Sequence, residues 1–401
     1  MVVTINFYFL VHLISGALAF STFFLRLILV NWYVLEKTNS SFMVGLLASI
    51  PILIQPFAAP IGGILADKYS RKVILFITRL VEASGFILLS ISINLDISPL
   101  ILIGVLSAIV GISGAMGGPS WRNMLVDIVG RKRIARGNAL TELANGIINA
   151  IVPAVAALLL TLYTVSQLFW ALPIISYTSA LLILILVIKL PAQEKNDSES
   201  STSSSMKDSF IYAFNDSRIR PILILGSSTL IWGITQPLIP VYCRDVLNLD
   251  GVGYSLVTSA NFIGAIFGSF LLLAYGSRLA TGKFMSSFIM LFSIFMYLFF
   301  LSPDPYIAGL FLFISNMFIT IWIACVFTSL QLLPEKKYMG RVVSLFFSMF
   351  GLIGVGFIVG GYLGDKIGLN LTVLIAVLVI IILNLVVLFS SKSYRNMKVD
   401  S

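Results

Sequence analysis

The chain has 401 residues, of which 58% are hydrophobic and 11% charged. Soluble domains carry about 25% charge, so a water-soluble fold cannot hide this much apolar surface and lipid is the remaining solvent. The net charge of +9 would point to an acidic partner in a soluble protein, but its placement along the chain, set out below, accounts for it without nucleic acid.

In lipid every backbone polar group must be satisfied within the chain, which leaves helices or closed barrels. Barrel strands alternate apolar and polar residues over short segments. Here the apolar runs are continuous over about 20 residues, the length a bilayer core requires. In chain order, spans are expected near 5–34, 42–65, 73–93, 99–120, 137–162, 167–190, 221–242, 253–275, 284–302, 306–332, 341–363 and 370–390. The reading is an all-α integral membrane protein with twelve transmembrane helices. The first run has no basic leader of the signal-peptide kind and, from Met1 to Tyr33, is long enough to span.

Orientation follows from Lys and Arg. Of the 26, Lys37, Arg244 and Lys366 fall in alternate loops on one side, Arg26 and Arg79 fall inside spans, and the other 21 fall on the opposite side. That split predicts both termini in the cytoplasm of a multi-pass plasma-membrane protein, and it explains the basic balance. From Pro191 to Ser209 the chain is polar and Ser-rich, including "QEKNDSESSTSSSMKD". Such a stretch cannot bury apolar area and is expected to be a flexible linker. The chain is therefore expected to divide into a six-helix bundle over 1–190, a cytoplasmic linker over 191–220 and a second six-helix bundle over 221–401, a common transporter architecture. Cys243 and Cys325 are read as unpaired thiols, with no disulfide framework, metal site or cofactor expected.

At the second boundary the sequence reads "GGILADKYSRKVIL". This resembles the loop signature of the major facilitator superfamily. Gly63, Asp67, Lys68, Arg71 and Lys72 match it, and Ser70 stands where Gly is usual. A Gly lets two helices approach, an Asp can cap a helix N-terminus, and basic residues suit anionic headgroups. The stretches "PSWRNMLVDIVGRKRIARGNAL", "PLIPVYCRDVLNLDGVGYSLVTSANFIGAIFGS" and "MGRVVSLFFSMFGLIGVGFIVGGYLGD" resemble the drug- and siderophore-exporter branch, which includes macrolide efflux proteins and the enterobactin exporter. The resemblance implies two bundles, a central cavity, alternating access and proton-coupled antiport. Asp67, Arg71 and Arg122 then resemble the charge network that latches the bundles, the alternative being simple positive-inside anchoring.

Two departures are visible. The antiporter signature of span five has Gly-Pro followed by paired Gly. Here "GIINAIVPAVAA" keeps Gly146 and Pro153, but Val152 precedes the proline and Ala156-Ala157 replace the glycines. The corresponding loop of the second half, "AYGSRLATGKF", keeps Arg278 and Lys283 but has no acid.

Charge at membrane depth costs roughly 2.5–3.5 kcal/mol on insertion scales, so each such residue needs a reason. In span five Asn138, Glu142, Asn145 and Asn149 share one helical stripe. They form either a cavity-facing stripe with a protonatable carboxylate or interhelical hydrogen-bond glue. In span one, His12 and Arg26 are near four turns apart and face similarly. His12 could titrate or be structural. Arg26 could attract an anionic group or snorkel to the outer surface. In span three, Arg79 and Glu82 are three apart and can pair on one face. Proton-coupling candidates are therefore Glu142, then Glu82 and His12. The cavity is expected to draw on Arg26, Asn145, Asn149, Gln55, Trp232, Gln236, Asn261, Asn316 and Thr320, side chains suited to an amphipathic organic substrate.

The chain carries no P-loop, no His-Glu-x-x-His pattern and no nucleophile elbow, so an enzyme is not expected and any pumping must draw on an ion gradient. The expectation is a monomeric exporter of drugs or amphipathic small molecules, exchanging them for protons. An uncoupled uniporter or importer of a small organic solute is the alternative.

Overall fold

The computed structural model describes residues 7–95, 100–130, 134–189, 206–275, 281–335, 338, 342, 345, 346, 349 and 351–397. The side chains of Asp67, Asn138, Glu142 and Asn149 lie outside the described residues, as does Arg278. Among the described residues the elements are helices: α1 Phe7–Thr38, α2 Ser41–Lys68, α3 Arg71–Asn94, α4 Leu100–Val129, α5 Ile134–Leu160, α6 Val165–Leu168, α7 Ala171–Lys189, α8 Met206–Asn215, α9 Ile219–Gly226, α10 Ser228–Thr235, α11 Leu238–Asp245, α12 Gly251–Tyr275, α13 Gly282–Leu301, α14 Pro305–Leu332, α15 Gly351–Ile367, α16 Leu369–Ser390 and α17 Lys392–Arg395.

Among the described residues, ten helical segments are long and apolar enough to cross a bilayer. Outside that set, Ala144–Leu160 of α5 is a shorter apolar stretch and α15 has 17 residues. The 32 residues of α1 extend about 48 Å, more than the roughly 30 Å hydrocarbon core, so this helix reaches past the apolar layer or tilts within it. Side chains such as Ile101, Leu158, Ile188 and Phe389 are exposed on the outside of the helices, the arrangement lipid requires rather than water.

Local chemistry sets several helix ends. Asp304 accepts from the backbone N–H groups of Tyr306 and Ile307, both at 2.9 Å, and Pro305 opens α14 with its fixed φ. Thr164 and Gln167 form a capping box at the start of α6. The sixth span therefore begins with a single capped turn before α7.

The seventh span is found at Ile219–Asp245 and is built from α9, α10 and α11, broken near Ser227 and at Gln236–Pro237. Pro237 lacks the N–H that a continuous ladder needs. Within 191–220 lies the helix α8, which begins in the last residues of the Ser-rich stretch. Its residues Phe210–Phe214 are apolar and aromatic, and Ala213 is fully buried.

The chain groups into two compact units, 1–39 with 46–196 and 40–45 with 197–401. In the first, α3 packs on α4 and α7, and α1 packs on α5 and α7. Val11, Leu75, Met124, Ile183 and Leu186 form a core between these helices. In the second, α12 and α13 pack on α14, and α10 packs on α15. Its residues 40–45 include the first turn of α2, where Asp365 accepts from Ser40 Oγ at 2.6 Å and from the Ser41 and Phe42 N–H groups at 2.8 and 3.1 Å.

Glycine brings helix backbones together at defined points. The expected close approach at Gly63 is not seen, since a Cβ there would meet open space. Gly62 instead lies directly against the Met116 backbone of α4. One residue is about 100° of helix rotation, enough to turn a contact face into a free one. Gly62→Ala is accordingly expected to destabilise by about 1–3 kcal/mol through overpacking, and Gly63→Ala to leave the melting temperature of the purified protein unchanged or slightly raised. Equal losses for both would remove this assignment. In the second unit, Gly264 and Gly268 of α12 sit against the Phe313 and Met317 backbone of α14, a small-xxx-small crossing. Cys243 and Cys325 are free thiols, both buried.

Candidate functional site

The interior of the first unit holds a set of polar side chains from α1, α3 and α4. Arg79 and Glu82, one turn apart on α3, form an ion pair at 2.5 Å. Their side chains are only 16% and 8% exposed. A buried pair of this kind is sustained by mutual attraction against a large desolvation cost. His12 of α1 is fully buried and lies within electrostatic reach of Arg79. Its ring stacks on the Trp121 indole of α4, with centroids 3.5 Å apart and planes within 12°. A Cβ at Gly16 would run into that indole, so Gly16 opens the slot in which Trp121 lies. Arg26, at the other end of the same face of α1, is 2% exposed and within electrostatic reach of Glu82. Its guanidinium stands 5.8 Å from the Phe23 ring centroid.

His12, Arg79, Glu82 and Arg26 all lie withdrawn from solvent within the first unit. Arg26 is enclosed rather than snorkelling to a surface. Both His12 nitrogens, Arg26 Nη1 and Arg79 Nε have no hydrogen-bond partner among the described residues. Buried donors and acceptors in this state are costly. Beside His12, the set carries one carboxylate and two guanidinium groups.

The loop-signature residues separate. Arg71 is bidentate to Asp127, its Nη1 donating to Oδ1 at 2.8 Å and Oδ2 at 3.1 Å. Asp127 was not singled out in the sequence; its spacing five residues after Arg122 at the end of α4 was the available signal. Lys72 Nζ donates to the Val187 carbonyl at 3.3 Å, at the C-terminal end of α7, where a cation also complements the helix dipole. Lys68 and Arg122 are exposed.

The remaining amides and aromatics are spread over both units. Gln55 is exposed on α2, whose helix carries Pro51, Pro56 and Pro60. Asn145 is half-buried on α5. In the second unit Trp232, Gln236 and Thr320 are half-buried, while Asn261 and Asn316 are buried. Gln236 Nε2, Asn261 Oδ1 and Asn316 Nδ2 have no partner among the described residues. Asn261 is on α12 and Asn316 on α14, the pair of helices joined at Gly264 and Gly268. In α5 the small residues after Pro153 are packed inward, with Ala156 and Ala157 both buried. No cluster of three or more potential metal ligands occurs among the described residues.

The chain belongs to the Major Facilitator Superfamily, whose family model matches residues 11–357, and this makes it a membrane transporter. It is a transporter and not an enzyme. Macrolide efflux protein A of Streptococcus pyogenes is 22% identical over 351 residues, covering 84% of this chain and 85% of that protein. The nucleoside transporter NupG superposes with a TM-score of 0.78 at 14% identity, covering 96% of this chain and 100% of that one. An inward-facing bacterial homologue of the human lysosomal transporter Spinster superposes with a TM-score of 0.73 at 14% identity, covering 97% and 98%. These structural likenesses establish the fold.

Proposed function

We propose that the protein exports amphipathic organic molecules in exchange for protons, as a monomer in the cell membrane with both termini in the cytoplasm. The observation that carries this reading is the buried Arg79–Glu82 pair flanked by His12 and Arg26. Ionisable groups at membrane depth are costly and mark ion pathways, and the similarity to a macrolide efflux protein supports export over uptake.

In this mechanism bundles 1–190 and 221–401, joined by the 191–220 linker, alternate access to a site drawing on Gln55, Asn145, Asn149, Trp232, Gln236, Asn261 and Asn316. A proton arriving at Glu82 neutralises the charge that holds Arg79. The guanidinium then needs another partner, and the relative stability of the two access states changes. Glu142 on the span-five stripe is the second acid of the pathway. Asp67, Lys68, Arg71, Lys72 and Arg122 act as the latch around the α2–α3 turn, with Arg71 anchored by Asp127.

The test is flux in proteoliposomes under an imposed pH gradient, following internal pH while dyes, macrolides and catechol siderophores are added. Proton movement triggered by one compound class is expected. Glu142→Gln is expected to cut gradient-driven flux at least tenfold while the protein remains in the membrane. Unchanged coupled flux in that variant removes Glu142 from the mechanism. Solute flux that ignores the gradient in the unmodified protein favours a uniporter, a reading that Val152 and Ala156-Ala157 in the span-five motif would then explain.

A further inference from the structure

Helix α8 has two faces with different fates. Phe210, Ile211 and Phe214 occupy one sector of the helix, about 100° wide. Phe210 is 50% and Ile211 46% exposed. The Phe210 and Phe214 rings stack on each other at 4.4 Å and make one continuous apolar plate. The opposite face is held by protein: Ala213 is fully buried. Tyr212 stacks on Tyr338 at 4.1 Å, and its hydroxyl accepts from the Glu335 N–H at 3.1 Å.

The position of α8 identifies what covers the plate. Only Asp216, Ser217 and Arg218 separate it from α9, the start of the spanning segment Ile219–Asp245. Three residues reach about 10 Å at most, so α8 lies at the rim of the apolar layer. Asp216 fixes the corner by accepting from the Arg218 and Ile219 N–H groups at 2.7 and 3.3 Å. Burial pushes the Asp216 carboxyl up, but these bonds and the Arg218 guanidinium outweigh it and hold the group below the usual carboxylate range, so the corner persists at neutral pH. Arg218 and Arg220 are exposed beside it. An apolar plate edged by basic positions is complementary to phospholipid headgroups over acyl chains.

We propose that α8 is an in-plane membrane-surface helix, with Phe210, Ile211 and Phe214 seated in the headgroup–acyl boundary of the leaflet at the start of α9. Tyr212 then ties that surface to the backbone at Glu335 and to Tyr338, just beyond α14. The leaflet contact and the end of a transport helix are thereby joined through one side chain. The partner is the phospholipid itself.

The test uses full-length protein carrying a nitroxide at Ile211→Cys, reconstituted in vesicles of phosphatidylcholine and phosphatidylglycerol at 3:1. Collision with oxygen and with a water-soluble nickel chelate reports depth. Oxygen access is expected to exceed nickel access several-fold at position 211, with the reverse order at Asn215→Cys, an exposed position at the edge of the plate. Equal nickel access at both positions would place α8 in water and overturn the proposal. A label at 211 that is immobilised and closed to both reagents would show a protein partner on the plate and overturn it equally. Ile211 is exposed, so the substitution leaves the fold intact.

Discussion

Glu82→Gln is expected to lower the stability of the purified protein by about 3 kcal/mol, because breaking a buried pair leaves an uncompensated charge behind. Arg79 and Glu82 are largely withdrawn from solvent, so the remaining guanidinium cannot recover its hydration in place. Arg79→Gln is expected to cost a similar amount for the mirror-image reason. The double variant Arg79→Gln/Glu82→Gln removes both charges and should be more stable than either single variant, a non-additivity that a double-mutant cycle reads directly. Melting temperatures of the four proteins measure it. Strictly additive losses would show that the pair contributes nothing as a pair. The same set separates structure from transport. A double variant that regains stability but has lost pH-driven flux assigns the pair to coupling. One that regains both assigns it to architecture alone, and the proposed proton pathway then fails at Glu82.

The second large effect is expected at Gly264. A side chain there meets the Phe313 main chain of α14, with the carbonyl carbon 2.8 Å and the Cα 3.1 Å from an ideal Cβ. Backbone cannot rotate aside as a side chain can, so Gly264→Val must push α12 off α14. Overpacking typically costs 1–3 kcal/mol and more where relief is blocked. The expected result is at least 3 kcal/mol lost, seen as little monodisperse protein after extraction. Gly309→Ala on the facing helix is the matched control, because its nearest neighbour is the Ala260 Cβ at 3.8 Å. A well-behaved Gly264→Val protein would show that the α12–α14 contact is loose enough to repack.

Most helix positions were legible because each span is a long apolar run ended by recognisable chemistry. The expected 306–332 is found as Pro305–Leu332, where Asp304 and Pro305 mark the start, and 370–390 is found as Leu369–Ser390 after Gly368. The Arg79–Glu82 pair was legible for a local reason, since one turn separates its members. The stacking of His12 on Trp121 and the clamp of Arg71 on Asp127 were not. Each joins residues on different helices, and the rotation of one helix against another leaves no trace in local spacing. The same rotation decides between Gly62 and Gly63, where a motif places a glycine but not the face it presents. The breaks at Ser227 and Pro237 were hidden because the segment Ile219–Asp245 is still long and apolar enough to read as one span. Gly264 and Gly268 were readable as a small-xxx-small pattern, and only the crossing partner had to come from the structure.

The burial of both cysteines has a consequence for how the molecule meets its redox surroundings. Thiol chemistry begins with an accessible thiolate, and Cys243 and Cys325 are 0% and 2% exposed, on separate helices. Folded protein therefore offers no cysteine thiol to peroxide, glutathione disulfide or water-borne electrophiles. Regulation by cysteine oxidation would first require the helices around these side chains to come apart.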